Sequence, residues 1–178
     1  MPRARSQQDL ERELGAMEFA VHGLPQTQGS MKGLVRGKRA ILVHDKPGLV
    51  PWRKSIAAVA RAKGWGRGAL LDGAIELEQV FVLARPASHF RSDGSLRPDA
   101  PPYPHKAPAD LDKLERAVGD ALTKVVWFDD RRIVSAPHRK VYGDRPGVAL
   151  RIRRLTPELF DAREVARVSH VTKKRKSA

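Results

Sequence analysis

Residues 108–130 read P-A-D-L-D-K-L-E-R-A-V-G-D-A-L-T-K-V-V-W-F-D-D, and the organisation of the chain follows from how this stretch folds. Leu111, Leu114, Val118, Ala121 and Leu122 recur at helical spacing, which predicts an amphipathic helix over about Leu111–Lys124. Asp112, Arg116 and Asp120 lie one turn apart along the opposite side. Asp110 and Asp112 sit at the mouth of that helix, where the backbone field favours an anion or a bound phosphate. A second acidic pair, Asp129 and Asp130, follows the helix and opens a strand, so one helix can bring two carboxylate pairs together. Oxygen ligands of this kind suit hard cations such as Mg²⁺, which take one or two carboxylates with waters and substrate phosphates. The residues alone also allow a purely structural reading. Asp112 and Glu115 match a capping box, Arg116 and Asp120 an i,i+4 ion pair, and Asp129-Asp130 a turn.

The charge outside this stretch separates the function classes. The chain carries a formal +14. Lys173, Lys174, Arg175 and Lys176 hold four of these charges, which leaves +10 on the remainder. A field of that size favours a phosphate backbone or an anionic surface. No basic amphipathic helix with a broad apolar face accompanies it, so nucleic acid fits better than membrane. No apolar run approaches the roughly 18 residues of a membrane span. Paired carboxylates in so basic a chain are costly to assemble unless a cation stands between them. The absence of cysteine excludes disulfides, zinc-thiolate sites and thiol nucleophiles and suits a cytoplasmic protein. The first residues, M-P-R-A-R-S-Q-Q-D-L, have charge without the apolar stretch of a secretory signal.

Periodicity divides the chain into a flexible arm over 1–16, one domain over 17–168 and a basic tail over 169–178. Met17–Gly23 reads as a strand with Phe19 and Val21 on one face. A Gly- and Pro-containing loop, L-P-Q-T-Q-G-S-M-K-G, follows, and Ala40–Val43 is a short apolar run suited to a hairpin. Val50–Lys63 reads as a helix with Trp52, Ile56, Val59 and Ala60 on one face. Ala74–Ala84 is the strongest strand, apolar on both faces toward its end, as in a central position under a helix. Six prolines in 86–108 exclude a helix or a central strand there and predict a long, mobile, cationic loop. Ile133–Val141 and Gly147–Arg153 are expected to form a hairpin around Y-G-D-R-P-G, and Thr156-Pro157-Glu158 to start a last helix. The six histidines show no ligand spacing, and Ser55 and Ser135 lack a nucleophile's context. Trp127 reads as wall packing for the acidic helix. The expected class is α+β, a mixed β-sheet with helices packed on it.

The run D110-L-D112, then Arg116, then D120-A-L-T-K, then W127-F-D129-D130 and Val134, then Lys140, resembles the RusA family of Holliday junction resolvases. The opening F-A-V-H-G-L-P-Q-T-Q-G resembles that family's first strand and its turn. The resemblance covers roughly 17–154 and is specific over 110–140. It implies a homodimeric, Mg²⁺-dependent endonuclease, with Mn²⁺ as a substitute, that acts on branched DNA in recombination and repair. It also implies that Asp110, Asp112 and Asp130 are the metal-binding carboxylates and that Arg116 stands where the family has a catalytic lysine. Lys113, Lys140 and Lys106 are then the candidate DNA contacts. The chain departs from the family where D-x-D-N reads D-L-D-K, where arginine replaces the lysine, and in the length of the 86–108 loop. The alternative is a non-catalytic basic DNA- or RNA-binding protein with the same fold.

Overall fold

Strand β4 (Ile75–Leu83) organises the molecule, because its alternation buries Ile75, Leu77 and Phe81 completely and leaves the intervening residues half-buried. The computed structural model describes residues 16–29, 31–36, 39–44, 47–66, 68, 70–107 and 109–155. The arm over 1–15, the helix expected from Thr156 and the basic tail lie outside the described residues. In chain order the elements are β1 (Met17–His22), β2 (Met31–Arg36), β3 (Arg39–His44), α1 (Leu49–Ala62), β4, α2 (Leu111–Leu122), β5 (Ile133–Ser135), β6 (His138–Tyr142) and β7 (Gly147–Arg154). The sheet runs β1-β7-β4-β5, with β6 also on β4. The class is α+β with a mixed sheet, as expected: β7 pairs antiparallel with both β1 and β4, whereas β5 and β6 run parallel to β4.

Two local expectations are corrected. The hairpin of 133–141 with 147–153 does not form. Ala136-Pro137 breaks the first run into β5 and β6, since proline has no N–H for a ladder. Both pieces lie on one edge of β4, while β7 takes the other edge, so β4 separates the would-be partners. Gly143 N donates to Leu83 O at 3.1 Å as the chain leaves β6 past the end of β4. Gly147 then starts β7 at a place where a Cβ would stand 2.2 Å from Val21 O, so only glycine fits. The second correction is smaller: Met31–Gly33, read as loop, belongs to β2, which pairs antiparallel with β3 as a separate ribbon.

Both helices cover one face of the five-stranded sheet. Leu49, Trp52, Ile56, Ala57 and Ala60 of α1, and Leu114, Ala117, Val118, Ala121 and Leu122 of α2, are buried. They pack with Phe19, Val21, Leu77, Phe81, Val148, Leu150 and Ile152 into one core. Trp65 packs against that core at the end of α1. Gln79 is fully buried on the same face, and neither end of its amide has a hydrogen-bond partner. The opposite face carries a charge ladder, with Glu18–Arg151 at 3.2 Å, Glu76–Arg153 at 2.5 Å and Glu78–Arg139 at 3.6 Å.

The connection from β4 to α2 is built rather than formless. Ala87–His89 forms a 3₁₀ turn, Phe90 bridges Leu96, and Arg91 N donates to Ser95 O at 2.8 Å. Arg85 fixes the base of this arm: its guanidinium lies 4.4 Å over the Tyr142 ring and donates to Pro101 O at 2.9 Å. His89 meets the same ring edge-on at 5.6 Å.

Candidate active site

Helix α2 presents the first acidic pair. Asp110 is the N-cap residue, with extended backbone, and its side chain makes no capping bond. Its Oδ2 instead accepts from Lys113 Nζ at 2.5 Å. Asp112, in the first turn, pairs with Arg116 at 3.7 Å. The capping box of Asp112 with Glu115 is therefore absent, because Asp110 is the N-cap and the helix starts two residues earlier than that motif requires. The Arg116–Asp120 pair is also replaced. Asp120 pairs with Arg53 of α1, and the same guanidinium nitrogen bonds Gln28 Oε1. Gln28 N in turn donates to Lys113 O at 2.9 Å, so the loop after β1 is tied to α2. Sequence reading did not find Gln28 and Arg53. Arg53 lies off the apolar stripe of α1, and no local spacing links it to a residue 67 positions away.

The second acidic pair is presented by a turn anchored in the core. Helix α2 ends at Leu122, not Lys124. Val126 N donates to Leu122 O at 2.8 Å, Lys124 N to Trp127 O at 2.7 Å, and Leu71 N to Val126 O at 2.7 Å. Trp127 is fully buried and its Nε1 donates to Thr123 Oγ1 at 3.3 Å, which makes it the wall the sequence suggested. The next three residues emerge from that anchor. Phe128 is 57% exposed, and the Lys124 ammonium stands 3.0 Å from its ring centroid. Lys124 has φ 64, the left-handed region, the only such non-glycine among the described residues. That conformation costs roughly 1–2 kcal/mol, while a cation–π contact at an exposed site returns about 0.5–1 kcal/mol. Asp129 then caps a 3₁₀ turn over Asp130–Arg132, and Arg131 grips both its oxygens at 2.9 and 3.0 Å. The Arg131 side chain, and after it the Arg131 N–H, lower the Asp129 pKa to about 2. Asp129 is thus committed to Arg131, and Asp130 is exposed as the first residue of the turn.

The structure brings Asp110, Asp112, Lys113, Arg116 and Lys140 to one end of α2. Lys140, on β6, donates from Nζ to Ala109 O at 2.9 Å and so holds the residue before Asp110. Lys106 is exposed in the arm that leads there. Asp130 arrives from the turn beyond the other end of the helix. Among the described residues, no three carboxylate or imidazole groups gather closely enough to cage an ion. Like charges repel, and Asp110, Asp112 and Asp129 each take a cation of the chain. The donor set still suits a hard cation. The carboxylates of Asp110 and Asp112 are 59% and 65% exposed, and ion pairs of that kind contribute only about 0–1 kcal/mol. A divalent ion can displace such partners.

Comparison with known proteins relates the chain to a nuclease family. The family described as Endodeoxyribonuclease RusA matches residues 24–153, a span that holds every candidate site residue. A curated relative from Bacillus subtilis (strain 168), described as Uncharacterized protein YqaN, is similar at 24% identity over 151 residues, covering 80% of this chain and 99% of the relative.

Proposed function

This chain belongs to the RusA endodeoxyribonuclease family, a family of Holliday junction resolvases, and from that premise we propose that it is a Mg²⁺-dependent endonuclease that nicks four-way and other branched DNA in pairs. The observation that supports this most directly is the family match over 24–153, a span that contains Asp110, Asp112, Arg116 and Asp130. Asp110 and Asp112, together at the start of α2, would hold the metal, and the family resemblance adds Asp130 as the third carboxylate. Mg²⁺, or Mn²⁺ in its place, supplies a charge that activates water and steadies the phosphate when bound. The remaining work falls to side chains of the chain. Lys113 and Arg116, which pair here with Asp110 and Asp112, would lose those partners to the metal. Both cations would then face the phosphate, where a fixed guanidinium stabilises developing charge. Lys140 holds the Ala109 carbonyl and so sets the direction of Asp110.

The net charge of +14 supports a polyanionic substrate. With about six phosphate contacts, binding falls with salt at a slope of about −0.9 per contact. Two-fold symmetry of a junction suits a homodimer that presents two acidic clusters, and sedimentation alone and on DNA tests it. Among the described residues no helix is long and apolar enough to cross a membrane.

A second reading, a non-catalytic DNA- or RNA-binding protein of the same fold, is favoured by one observation. The residue at the family's lysine position is Arg116, and it is already paired with Asp112. Incubating a synthetic four-way junction with and without Mg²⁺ separates the two. Symmetric nicks that need the metal support the nuclease. Binding without cutting in any divalent metal refutes it.

A further inference from the structure

We propose that Phe128, backed by Lys124, is a stacking platform for an unpaired base of branched DNA, beside the strand that the acidic residues engage. The inference rests on the nuclease reading above for its substrate class, but on separate observations for its location. Phe128 lies between the fully buried Trp127 and the Asp129-Asp130 pair. Its backbone is fixed by the turn that joins Leu122, Lys124, Trp127 and Leu71. The ring is therefore held in place while 57% exposed. A ring held outside the core on a fixed support, with its second face open, suits contact with a flat partner.

Lys124 supplies the second observation. Its ammonium lies 3.0 Å from the ring centroid, and its backbone adopts φ 64. Glycine would close the same turn without strain. The turn itself is closed by Val125 N on Leu122 O and Lys124 N on Trp127 O, and a lysine in its left-handed position, where glycine would serve, sets a cation against the exposed ring. The ammonium covers one side of the ring and leaves the rest to a base. It also places positive charge where the phosphate flanking that base would lie.

Chemistry selects the partner. Every base has a π-face, so a single aromatic ring can receive any of them. Branched DNA offers bases whose stacking is already broken at the branch point, so placing one on Phe128 costs less than in intact duplex. The basic chain favours this partner over an acidic-poor protein surface. A second copy of the chain covering Phe128 is the competing occupant, and the test includes it.

The test uses the full chain and a four-way junction carrying 2-aminopurine at the branch point, with Ca²⁺ replacing Mg²⁺ so that cutting does not intervene. Wild type should change the fluorescence on binding. Phe128→Ala should abolish that change and weaken junction binding about tenfold or more, while binding to linear duplex stays the same. Phe128→Trp should restore both, and Phe128→Leu, which keeps bulk without a π-face, should not. Lys124→Gln should weaken the junction signal partly. The proposal is overturned if wild type at saturation gives no fluorescence change, or if Phe128→Ala matches wild type. It is also overturned if that variant turns a dimer into a monomer, which would make the ring a subunit contact. The nuclease reading fails separately. A Phe128-dependent signal without Mg²⁺-driven cutting sinks only that reading, and cutting with no Phe128 dependence sinks only this one.

Discussion

Asp120 should couple to Arg53 and not to Arg116, although Arg116 is the closer neighbour in sequence. Arg53 reaches across from α1 and bonds Asp120 and Gln28 with one nitrogen, at 20% exposure for the arginine side chain and 32% for the aspartate. A hydrogen bond between charged groups contributes about 1.5–3 kcal/mol when shielded. With both side chains partly in water, the expected coupling is nearer about 1–1.5 kcal/mol. Arg53→Met alone should cost more, roughly 2 kcal/mol, because it also strands Gln28 and loosens the loop tied to α2. For a chain of 178 residues that is a fall of about 4–8 °C in Tm. The assay is urea unfolding of a double-mutant cycle, Arg53→Met with Asp120→Asn, beside a second cycle of Arg116→Met with Asp120→Asn. The second should give less than about 0.5 kcal/mol, as for an exposed pair. A coupling between Arg116 and Asp120 equal to or larger than that of Arg53 would refute the reasoning, and with it the claim that Arg116 is available for phosphate.

Asp130→Asn should abolish junction cutting and leave junction binding intact or tighter, since it removes a ligand charge and a repulsion together; loss of folding by circular dichroism would instead mark a structural aspartate. Arg116→Lys should keep or raise cutting and Arg116→Ala lower it strongly, with stability changed by no more than about 0.5 kcal/mol because the pair with Asp112 is exposed. Lys140→Met should cost about 1.5–2 kcal/mol in urea unfolding and slow cutting beyond that loss, since the Ala109 carbonyl and hence Asp110 lose their hold. Asp129, lowered from an ordinary 3.8 to about 2 by Arg131, stabilises the fold above the ordinary value and loses that contribution as pH falls toward about 2. Asp129→Asn should flatten acid unfolding in that window, and an unchanged acid limb would contradict it.

The elements with clear periods were legible in the sequence. Phe19 and Val21, the stripe of α2 and the alternation of β4 each point to one buried face, and the buried set follows them. Pairing order was not legible. Alternation in 133–141 and 147–153 marks strands without saying which edge they join, and only the insertion of β4 between them decides it. Gln79 was hidden because a polar residue in an apolar strand reads as the solvent side, whereas its register places it inward. At the candidate site, motif spacing singled out Asp110, Asp112 and the Asp129-Asp130 pair. It did not reveal that Asp129 is taken by Arg131, that Lys140 bonds a backbone carbonyl, or that Asp120 belongs to a distant arginine. These depend on contacts between elements that no local spacing encodes.

The arm between β4 and α2 gives the chain room to change its substrate without changing its frame. Its roots are clamped, by Arg85 and Tyr142 at one end and by Lys140 on Ala109 at the other. Between those clamps, each doubling of loop length costs only about 0.6 kcal/mol of closure entropy. Descendants of this chain, or a protein engineer, can therefore lengthen, shorten or recode residues 87–107 while sheet register and the acidic helix stay in place. If the chain is the nuclease proposed above, selectivity among branched substrates is then free to drift on a timescale decoupled from that of the chemistry at the acidic helix.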